Sequence, residues 1–296
     1  MRFINCFLLI ELNTQNSKLQ KALGPEEEVM SYKFIDLQVK DYVATITMAK
    51  TESLNALDVP FAEEIVKALR EVNTRDDVRV AILCSRTKAF CTGLDLKAFT
   101  SSGIDGSPKA SLEFPEKLKA LFDTCDLIEA CMKPVIAAVH GMCIGGGLDI
   151  ISACDIRLCS EDATFSLREA AIGLAADMGV LQRLPHVIGQ GFAREMAFTA
   201  RFYNAKEAEK MGLVNGVFPN RDALMEGART LALQIAGNAP LALMATKEVL
   251  NVSRDATVQD GMNLSKHKNM VLFASEDFKE AIRSFAEKRK PIFRGR

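Results

Sequence analysis

Three carboxylates in the middle of the chain could move protons. Each has an ordinary interpretation: Asp149 as a charge at a helix start, Glu169 as a solvated residue after Arg168, and Asp177 as a loop cap. Asp177 is the most suggestive, because its neighbours in residues 174–178 are apolar. Apolar surroundings raise the pKa of a carboxyl group towards that of a useful general base.

Three consecutive glycines, Gly145, Gly146 and Gly147, precede Asp149 at the predicted start of a helix. Without side chains, the backbone there can approach a ligand closely, and free N–H groups at the positive end of the helix dipole favour developing negative charge. The spacing matches neither G-x-G-x-x-G nor G-x-x-x-x-G-K-[ST], so the nucleotide-binding motifs are not met. A second loop, residues 88–96, reads as a turn when taken alone.

Strands and helices alternate between residues 32 and 203. Alternating apolar positions predict two antiparallel strands, through residues 35–39 and 44–48, joined by a tight turn. A helix should begin after Asp58 as N-cap, with Pro60 in its first turn. Further buried strands are predicted at residues 78–83 and 135–139, separated by a helical stretch. This order predicts a layered α/β core with largely parallel strands.

The two ends of the chain differ from this core. Residues 204–296 have helical patterns with glycine or proline breaks, which predicts a C-terminal helical region packed on the core or on a neighbouring subunit. The apolar stretch in residues 1–31 is too short to span a bilayer, and acidic residues interrupt what would otherwise be a basic presequence. We therefore interpret these residues as a disordered extension, with a targeting segment as the alternative. The serine- and glycine-rich composition of residues 100–107 predicts a mobile loop.

Composition excludes several classes of protein. A formal net charge of -1 gives no general attraction to nucleic acid or anionic membranes. Aromatic residues make up 7% of the chain, Trp is absent and no RNA or DNA motif occurs, which disfavours a nucleic-acid-binding module. The eight cysteines contain no C-x-x-C pair and read as buried thiols in a reducing compartment. His140, His186 and His267 are far apart, and none is assigned to catalysis.

Five ordered motifs resemble the enoyl-CoA hydratase/isomerase, or crotonase, superfamily. They are Lys-Ala-Phe-Cys-Thr-Gly-Leu-Asp at residues 88–95, Lys-Pro-Val-Ile-Ala-Ala-Val-His-Gly at 133–141, Ile-Gly-Gly-Gly-Leu-Asp at 144–149, Ala-Cys-Asp-Ile-Arg at 153–157 and Glu-Lys-Arg-Lys-Pro-Ile-Phe at 287–293. The resemblance covers roughly residues 32–296. It implies a spiral of β-β-α units in residues 32–203, a C-terminal helical region used for assembly as a trimer or a dimer of trimers, and an acyl-CoA ligand.

The same resemblance implies the ligand contacts. Matching motif positions place an oxyanion hole at the backbone N–H groups of Leu94 and Gly146. Substrate and coenzyme A contacts are expected from Ala89, Phe90, Gly93, Asp95, Leu96, Gly145, Lys288 and Lys290. The basic cluster that includes Lys288 and Lys290 is equally readable as a solvated helix end. Coenzyme A is part of the substrate, and no metal, redox cofactor, nucleic acid or membrane insertion is implied.

The acidic residues point to one branch of the superfamily. Its hydratases carry glutamate at the positions of Asp149 and Glu169 and no acid at that of Asp177. The trio, with Gly-Leu-Ala-Ala-Asp at residues 173–177, is instead similar to Δ3,5-Δ2,4-dienoyl-CoA isomerases. That resemblance implies that Asp177 removes a proton from C2, that Glu169 delivers one to C6, and that Asp149 supports the pair electrostatically.

Two alternatives and the compartment stay open. One alternative is that Asp149 and Glu169 hold a water, as in an enoyl-CoA hydratase. The more distant one is a non-catalytic or RNA-binding member of the same fold. Fatty-acid oxidation favours the mitochondrion, and a peroxisome-type organelle and the cytoplasm are the other candidates. The C-terminal Arg-Gly-Arg is not a peroxisomal signal of the Ser-Lys-Leu type.

Overall fold

A six-stranded sheet is the centre of the fold in residues 32–101 and 107–296, which are the residues that the computed structural model describes. The predicted extension of residues 1–31 and most of the predicted loop at residues 100–107 lie outside the described residues. In chain order the strands are β1 Ile35–Lys40, β2 Val43–Met48, β3 Val80–Ser85, β4 Val135–Val139, β5 Met142–Ile144, β6 Ile156–Ser160, β7 Thr164–Ser166, β8 Tyr203–Asn204 and β9 Gly216–Phe218.

The sheet order is β1-β2-β3-β4-β6-β9, and β5, β7 and β8 form a second, three-stranded sheet. Strand β1 is antiparallel to β2, as predicted from the alternating residues, and each later neighbour in the large sheet is parallel. Asp41 and Tyr42 between β1 and β2 both have positive φ values, 54° and 64°, which is the backbone twist that a two-residue hairpin turn requires. The predicted α/β core with largely parallel strands is therefore confirmed.

Helices lie between and after the strands, and the last of them ends at Ala286. They are α1 Val59–Thr74, α2 Leu96–Ser101, α3 Pro108–Lys117, α4 Lys119–Ala130, α5 Gly146–Ala153, α6 Val180–Thr199, α7 Ala205–Lys210, α8 Arg221–Ala236, α9 Pro240–Asp255, α10 Val258–Leu272 and α11 Glu276–Ala286. The predicted cap of α1 is present, since Oδ1 of Asp58 accepts a hydrogen bond of 3.1 Å from the Phe61 N–H. Among the described residues, no helix combines the length and apolar character needed to cross a membrane.

The C-terminal region is not wholly helical, which corrects the sequence prediction. Strand β9 adds to the edge of the large sheet by pairing with β6, and it has three residues, too few for an alternating pattern to be recognised. Helix α10 has no apolar stripe in its sequence, and Gly261 is its one buried residue.

Two C-terminal helices attach directly to the core. Helix α8 presents small side chains to the sheet: Ala228, Ala232 and Ala236 pack in one cluster with Ile82 and Ile136. Lys247, on α9, is buried, and its ammonium group donates a hydrogen bond of 2.7 Å to the Asp155 carboxylate. Residues from Lys33 to Arg296 form one compact unit, and the boundary between residues 203 and 204 stays a prediction about sequence character.

Candidate active site

An apolar cavity of about 280 Å³ collects most of the residues singled out in the sequence. Its walls come from the loop after β3, from α2, α4 and the start of α5, and from the segment that precedes α6. The predicted site residues that line it are Gly93, Leu94, Leu96, Gly145, Gly146, Asp149, Glu169 and Asp177. The apolar remainder of the wall includes Leu57, Phe99, Leu121, Phe122 and Ile172.

Backbone hydrogen bonds join the two glycine-containing loops at this cavity. The Cys91 N–H donates to the Met142 carbonyl at 3.1 Å, and the Ile144 N–H donates to the Cys91 carbonyl at 3.0 Å. Further along, a Cβ added to Gly93 would lie 3.1 Å from the Ile144 carbonyl oxygen, and Gly93 has a φ of +90°. The loops are therefore in contact along their length, and Gly93 is needed for its backbone conformation.

The Leu94 amide is directed by the pairing of its neighbours with Leu57. Leu57 donates to the Gly93 carbonyl at 2.7 Å and accepts from the Asp95 N–H at 2.8 Å. In such a parallel bridge the N–H of the central residue points away from the partner, because successive peptide groups alternate in direction. Within the described residues, the Leu94 N–H donates to no protein acceptor.

The Gly146 amide begins α5, where the first N–H groups of a helix have no partner inside it. The Gly145 carbonyl accepts hydrogen bonds from the N–H groups of Leu148 and Asp149 in the first turn of the helix, at 2.7 and 3.1 Å. The Gly146 N–H makes no hydrogen bond to another described residue. A Cβ on Gly146 would lie 2.6 Å from Cδ1 of Leu57, the residue that also orients Leu94. Both free amides therefore border the same cavity beside Leu57.

Asp149 is buried on α5, with 1% of its surface exposed. Its Oδ1 accepts a hydrogen bond of 2.8 Å from the backbone N–H of Val180, the first residue of α6. Burial raises the pKa of this carboxyl to about 7, opposed by the Val180 hydrogen bond and reinforced by repulsion from Glu169 and Asp177. The three acids are thus close enough to influence one another's protonation.

Glu169 lies on a short 3₁₀ helix, Glu169–Ile172, opposite the glycines. Its Oε2 atom is buried and has no hydrogen-bond partner among the described residues, while a Cβ on Gly145 would be 2.7 Å from Oε1. Burial raises the pKa of Glu169, and the charge of Asp177 raises it further. The interpretation of Glu169 as a solvated surface residue is therefore wrong.

Asp177 lies in the turn that precedes α6, and it is the most exposed of the three acids. Partial burial raises its pKa above the ordinary value, as its apolar sequence neighbours predicted. The following residues are held tightly: Gly179 has a φ of +103°, and Nη1 of Arg183 donates to the Met178 carbonyl at 3.0 Å. Arg183 was not singled out in the sequence, since nothing local marks an arginine four residues into a helix as a support for the turn before it.

Several predicted ligand contacts lie outside this cavity. Ala89 and Phe90 are fully buried, and the Asp95 carboxylate accepts from the Lys97 and Ala98 N–H groups, at 3.2 and 3.1 Å, and pairs with Lys50. Lys288 and Lys290 follow α11, and neither lines the cavity. Their roles in binding coenzyme A stay predictions.

His140 and the described cysteines are buried, in agreement with structural roles. His140 is buried, its Nε2 lies 2.7 Å from the Thr87 carbonyl oxygen, and burial lowers its pKa. Seven cysteines are buried and free; Cys6 lies outside the described residues. Residues 32–101 and 107–296 contain no group of three His, Cys, Asp or Glu side chains placed to hold a metal ion.

Comparison with known proteins agrees with this geometry. A family model described as enoyl-CoA hydratase/isomerase matches residues 38–296. The mitochondrial Δ(3,5)-Δ(2,4)-dienoyl-CoA isomerase of Dictyostelium discoideum is 38% identical over 90% of this chain and 93% of that protein. The peroxisomal enzyme of the same name from Arabidopsis thaliana is 40% identical over 89% of this chain and 98% of that protein.

A solved structure extends the comparison to the fold. The enoyl-CoA hydratase of Bacillus anthracis superposes with a TM-score of 0.83 at 30% identity, covering 89% of this chain and 100% of that one. The predicted crotonase-like fold is therefore confirmed. By its sequence, its fold and its glycine-built cavity, the chain belongs to the enoyl-CoA hydratase/isomerase family.

Proposed function

We propose that the protein is an isomerase that converts 3,5-dienoyl-CoA to 2,4-dienoyl-CoA in the oxidation of unsaturated fatty acids. One observation carries the proposal: Asp149, Glu169 and Asp177 line the same apolar cavity as the free amides of Leu94 and Gly146. The names of the Dictyostelium and Arabidopsis relatives support the same reaction.

The two amides form an oxyanion hole for the thioester. The carbonyl oxygen accepts from the N–H groups of Leu94 and Gly146, and these donors are fixed before charge develops on the oxygen. In comparable sites the loss of one such donor costs about 3 to 4 kcal/mol of transition-state stabilisation. The apolar walls at Phe99, Leu121 and Phe122 receive the acyl chain and exclude water from the dienolate.

The acids transfer the protons. Asp177 takes one proton from C2, and the electron pair of that C–H bond delocalises through the diene as a dienolate held at the oxyanion hole. Glu169, whose pKa is raised by burial and by the charge of Asp177, donates a proton to C6 as the double bonds move to C2 and C4. Asp149 is the positioning residue, since it holds the N–H of Val180 beside the turn of Asp177.

Hydration of a 2-enoyl-CoA is the second candidate, because Asp149 and Glu169 alone could hold a water. The third acid favours isomerisation. Asp177 lines the cavity, and a hydratase mechanism that uses Asp149 and Glu169 would give it no catalytic role. No further cofactor is needed in either reaction, since coenzyme A is part of the substrate.

One pair of assays tests the function. Purified protein is offered a 3,5-dienoyl-CoA and, separately, a 2-enoyl-CoA of the same chain length, and the absorbance of the conjugated product and of the enoyl thioester is followed. We expect turnover of the dienoyl substrate to exceed hydration by orders of magnitude. Efficient hydration without diene isomerisation would show that the protein is an enoyl-CoA hydratase and not an isomerase.

The remaining assignments follow from the same function. We place the coenzyme A moiety near Ala89, Phe90 and Asp95, and its phosphates near Lys288 and Lys290, with contacts across a subunit boundary in a trimer or a dimer of trimers. We favour the mitochondrion as compartment, as in the name of the Dictyostelium relative, with the peroxisome of the Arabidopsis relative as the second candidate.

A further inference from the structure

Lys50 is a buried cation beside the site, and the mechanism described above does not use it. The residue lies just after β2, and 4% of its surface is exposed. The rings of Phe34 and Phe61 flank its ammonium group, with centroids 5.8 and 5.9 Å from Nζ. Because a buried charge is costly unless acceptors and opposite charges surround it, the partners of Lys50 indicate which parts of the fold it holds together.

On one segment, Lys50 holds the residues on both sides of Leu57. Its ammonium group donates to the Ala56 carbonyl at 3.1 Å and to the Asp58 carboxylate at 2.7 Å. These two acceptors immediately precede and follow Leu57 in the chain. Asp58 is itself fixed as the N-cap of α1. Lys50 therefore restricts the peptide groups through which Leu57 makes its backbone bridge.

On the second segment, Lys50 holds the residue that follows Leu94. Its ammonium group lies 3.6 Å from the Asp95 carboxylate, and the backbone N–H of Asp95 donates to the Leu57 carbonyl at 2.8 Å. The bridge between Leu57 and Leu94 thus has one carboxylate on each segment, Asp58 and Asp95, with the same cation between them. Attraction to a buried charge is screened little by salt, so Lys50 holds the two segments together.

The backbone of Lys50 reaches the beginning of the same loop through Asn55. The Lys50 N–H donates to Oδ1 of Asn55 at 2.9 Å, and Nδ2 of Asn55 donates to the Phe90 carbonyl at 2.9 Å. Asn55 is fully buried, and neither it nor Lys50 lines the apolar cavity. The loop of residues 88–96 is therefore held near its beginning and near its end by residues that do not line the ligand site.

We propose that Lys50 is a positioning residue of the oxyanion hole. Its ammonium group holds the bridge between Leu57 and Leu94 in the geometry that directs the Leu94 N–H at the thioester carbonyl. This inference rests on the oxyanion hole of the proposed function. It does not depend on which acid takes the proton from C2, since isomerisation and hydration would both use the hole.

Removal of the cation should affect one of the two amide donors. Without Lys50, the carboxylates of Asp58 and Asp95 repel each other across the bridge, and their side chains are only 21% and 19% exposed, so water screens them poorly. This repulsion should displace the Leu94 amide. The Gly146 amide begins α5 and is held by the hydrogen bonds of its own helix, so it should keep its direction.

The carbonyl frequency of a bound thioester measures the oxyanion hole directly. Octanoyl-CoA with an isotope-labelled carbonyl is bound to the purified protein, and difference infrared spectroscopy gives the lowering of its frequency relative to free octanoyl-CoA. For Lys50→Met, which replaces the ammonium group by an apolar side chain of similar length, we expect about half of this lowering to remain. The kcat for the dienoyl substrate should fall about 10- to 100-fold, with the Kd of octanoyl-CoA changed by less than about threefold.

Lys247→Met is the matched control. Lys247 is also buried, and its ammonium group pairs with the Asp155 carboxylate and donates to two carbonyls, but it does not line the apolar cavity. Both variants should lose stability in chemical denaturation, whereas Lys247→Met should keep the full carbonyl shift. Equal reductions of the shift in the two lysine variants would overturn the inference, because the cause would then be a general loss of stability.

The outcomes separate the inference from the proposed function. An unshifted carbonyl in the unmodified protein overturns the oxyanion hole and the role of Lys50 with it, whereas a full shift in folded Lys50→Met overturns the role of Lys50 alone. Should Lys50→Met fail to fold, Asp95→Asn removes the charge on the Leu94 side of the bridge, and a full shift in that variant overturns the inference. Absence of diene turnover, with a shift reduced in Lys50→Met, would overturn the isomerase reaction and support the role of Lys50.

Discussion

The Asp149 carboxylate accepts a hydrogen bond of 2.8 Å from the Val180 N–H, and this bond ties the glycine-led helix α5 to the start of α6. Arg183 holds the same turn from the other side, through its hydrogen bond of 3.0 Å to the Met178 carbonyl. Asp177 immediately precedes Met178 and lies three residues before Val180. Its carboxylate is therefore positioned by groups that do not themselves react.

Replacement of the proposed base should separate chemistry from binding. Asp177→Asn keeps the size of the side chain and removes its ability to accept the C2 proton. We expect kcat for diene isomerisation to fall by at least about 10²-fold, with the dissociation constant of a saturated acyl-CoA changed little. Steady-state kinetics and calorimetric titration measure the two quantities, and unchanged turnover would remove Asp177 from the mechanism.

The turn after Asp177 should tolerate no side chain at Gly179. A Cβ there would lie 1.9 Å from Nη1 of Arg183, and the φ of +103° is unfavourable for any other residue. Gly179→Ala should displace Asp177 and lower kcat by roughly 10- to 100-fold, with a smaller effect on KM. The same kinetic assay serves both this variant and its control.

The matched control is Gly191→Ala. Gly191 lies on the same helix, and a Cβ there would meet nothing within 4 Å. Because alanine favours a helix over glycine by about 0.5 to 1 kcal/mol, we expect full activity and equal or greater stability. Equal losses of activity in the two variants would show that the Arg183 contact is irrelevant.

Stability should depend on pH through Asp149. Its pKa rises from the ordinary value of 3.8 to about 7 in the folded protein. Between these values the folded state binds more protons than the unfolded state, so the free energy of unfolding decreases as pH rises from about 4 to 7. The slope from this one group is at most about 1.4 kcal/mol per pH unit.

Asp149→Asn isolates that contribution. The amide oxygen can still accept from the Val180 N–H, while the titrating group is gone. Denaturant unfolding of both proteins from pH 4 to 8 should show that the variant gains stability relative to the unmodified protein as pH rises, with the difference constant above about pH 7. A difference that does not vary with pH would mean that Asp149 is ionised in the folded protein throughout this range.

The contact of Lys247 with the core should be important for stability. Its ammonium group is buried and donates to the carbonyls of Ile128 and Lys133, at 3.0 and 3.2 Å, and to Asp155 at 2.7 Å. Lys247→Ala leaves the Asp155 carboxylate without its cation, with only the Val135 N–H donating to it, and should lower the free energy of unfolding by about 3 kcal/mol. Chemical denaturation measures this, and the removal of the exposed Lys279 by Lys279→Ala should cost less than about 1 kcal/mol.

Local signals in the sequence determined much of the fold. The alternating residues of β1 and β2, the Asp58 cap of α1 and the glycines that open α5 act within a few positions of one another, so their structures follow from neighbouring residues. The family resemblance pointed to the Leu94 and Gly146 amides, and their role as an oxyanion hole stays a prediction.

Tertiary structure alone decided the surroundings of the acids. The bond from Val180 to Asp149 and the approach of the Leu57 side chain to Gly146 join segments that are far apart in sequence. Burial and charge repulsion, which set the pKa of a carboxyl, depend on every element packed around it. The sequence by itself therefore determined which side chains could do the chemistry, whereas long-range packing decided which of them are buried, which face water, and which hold the others in place.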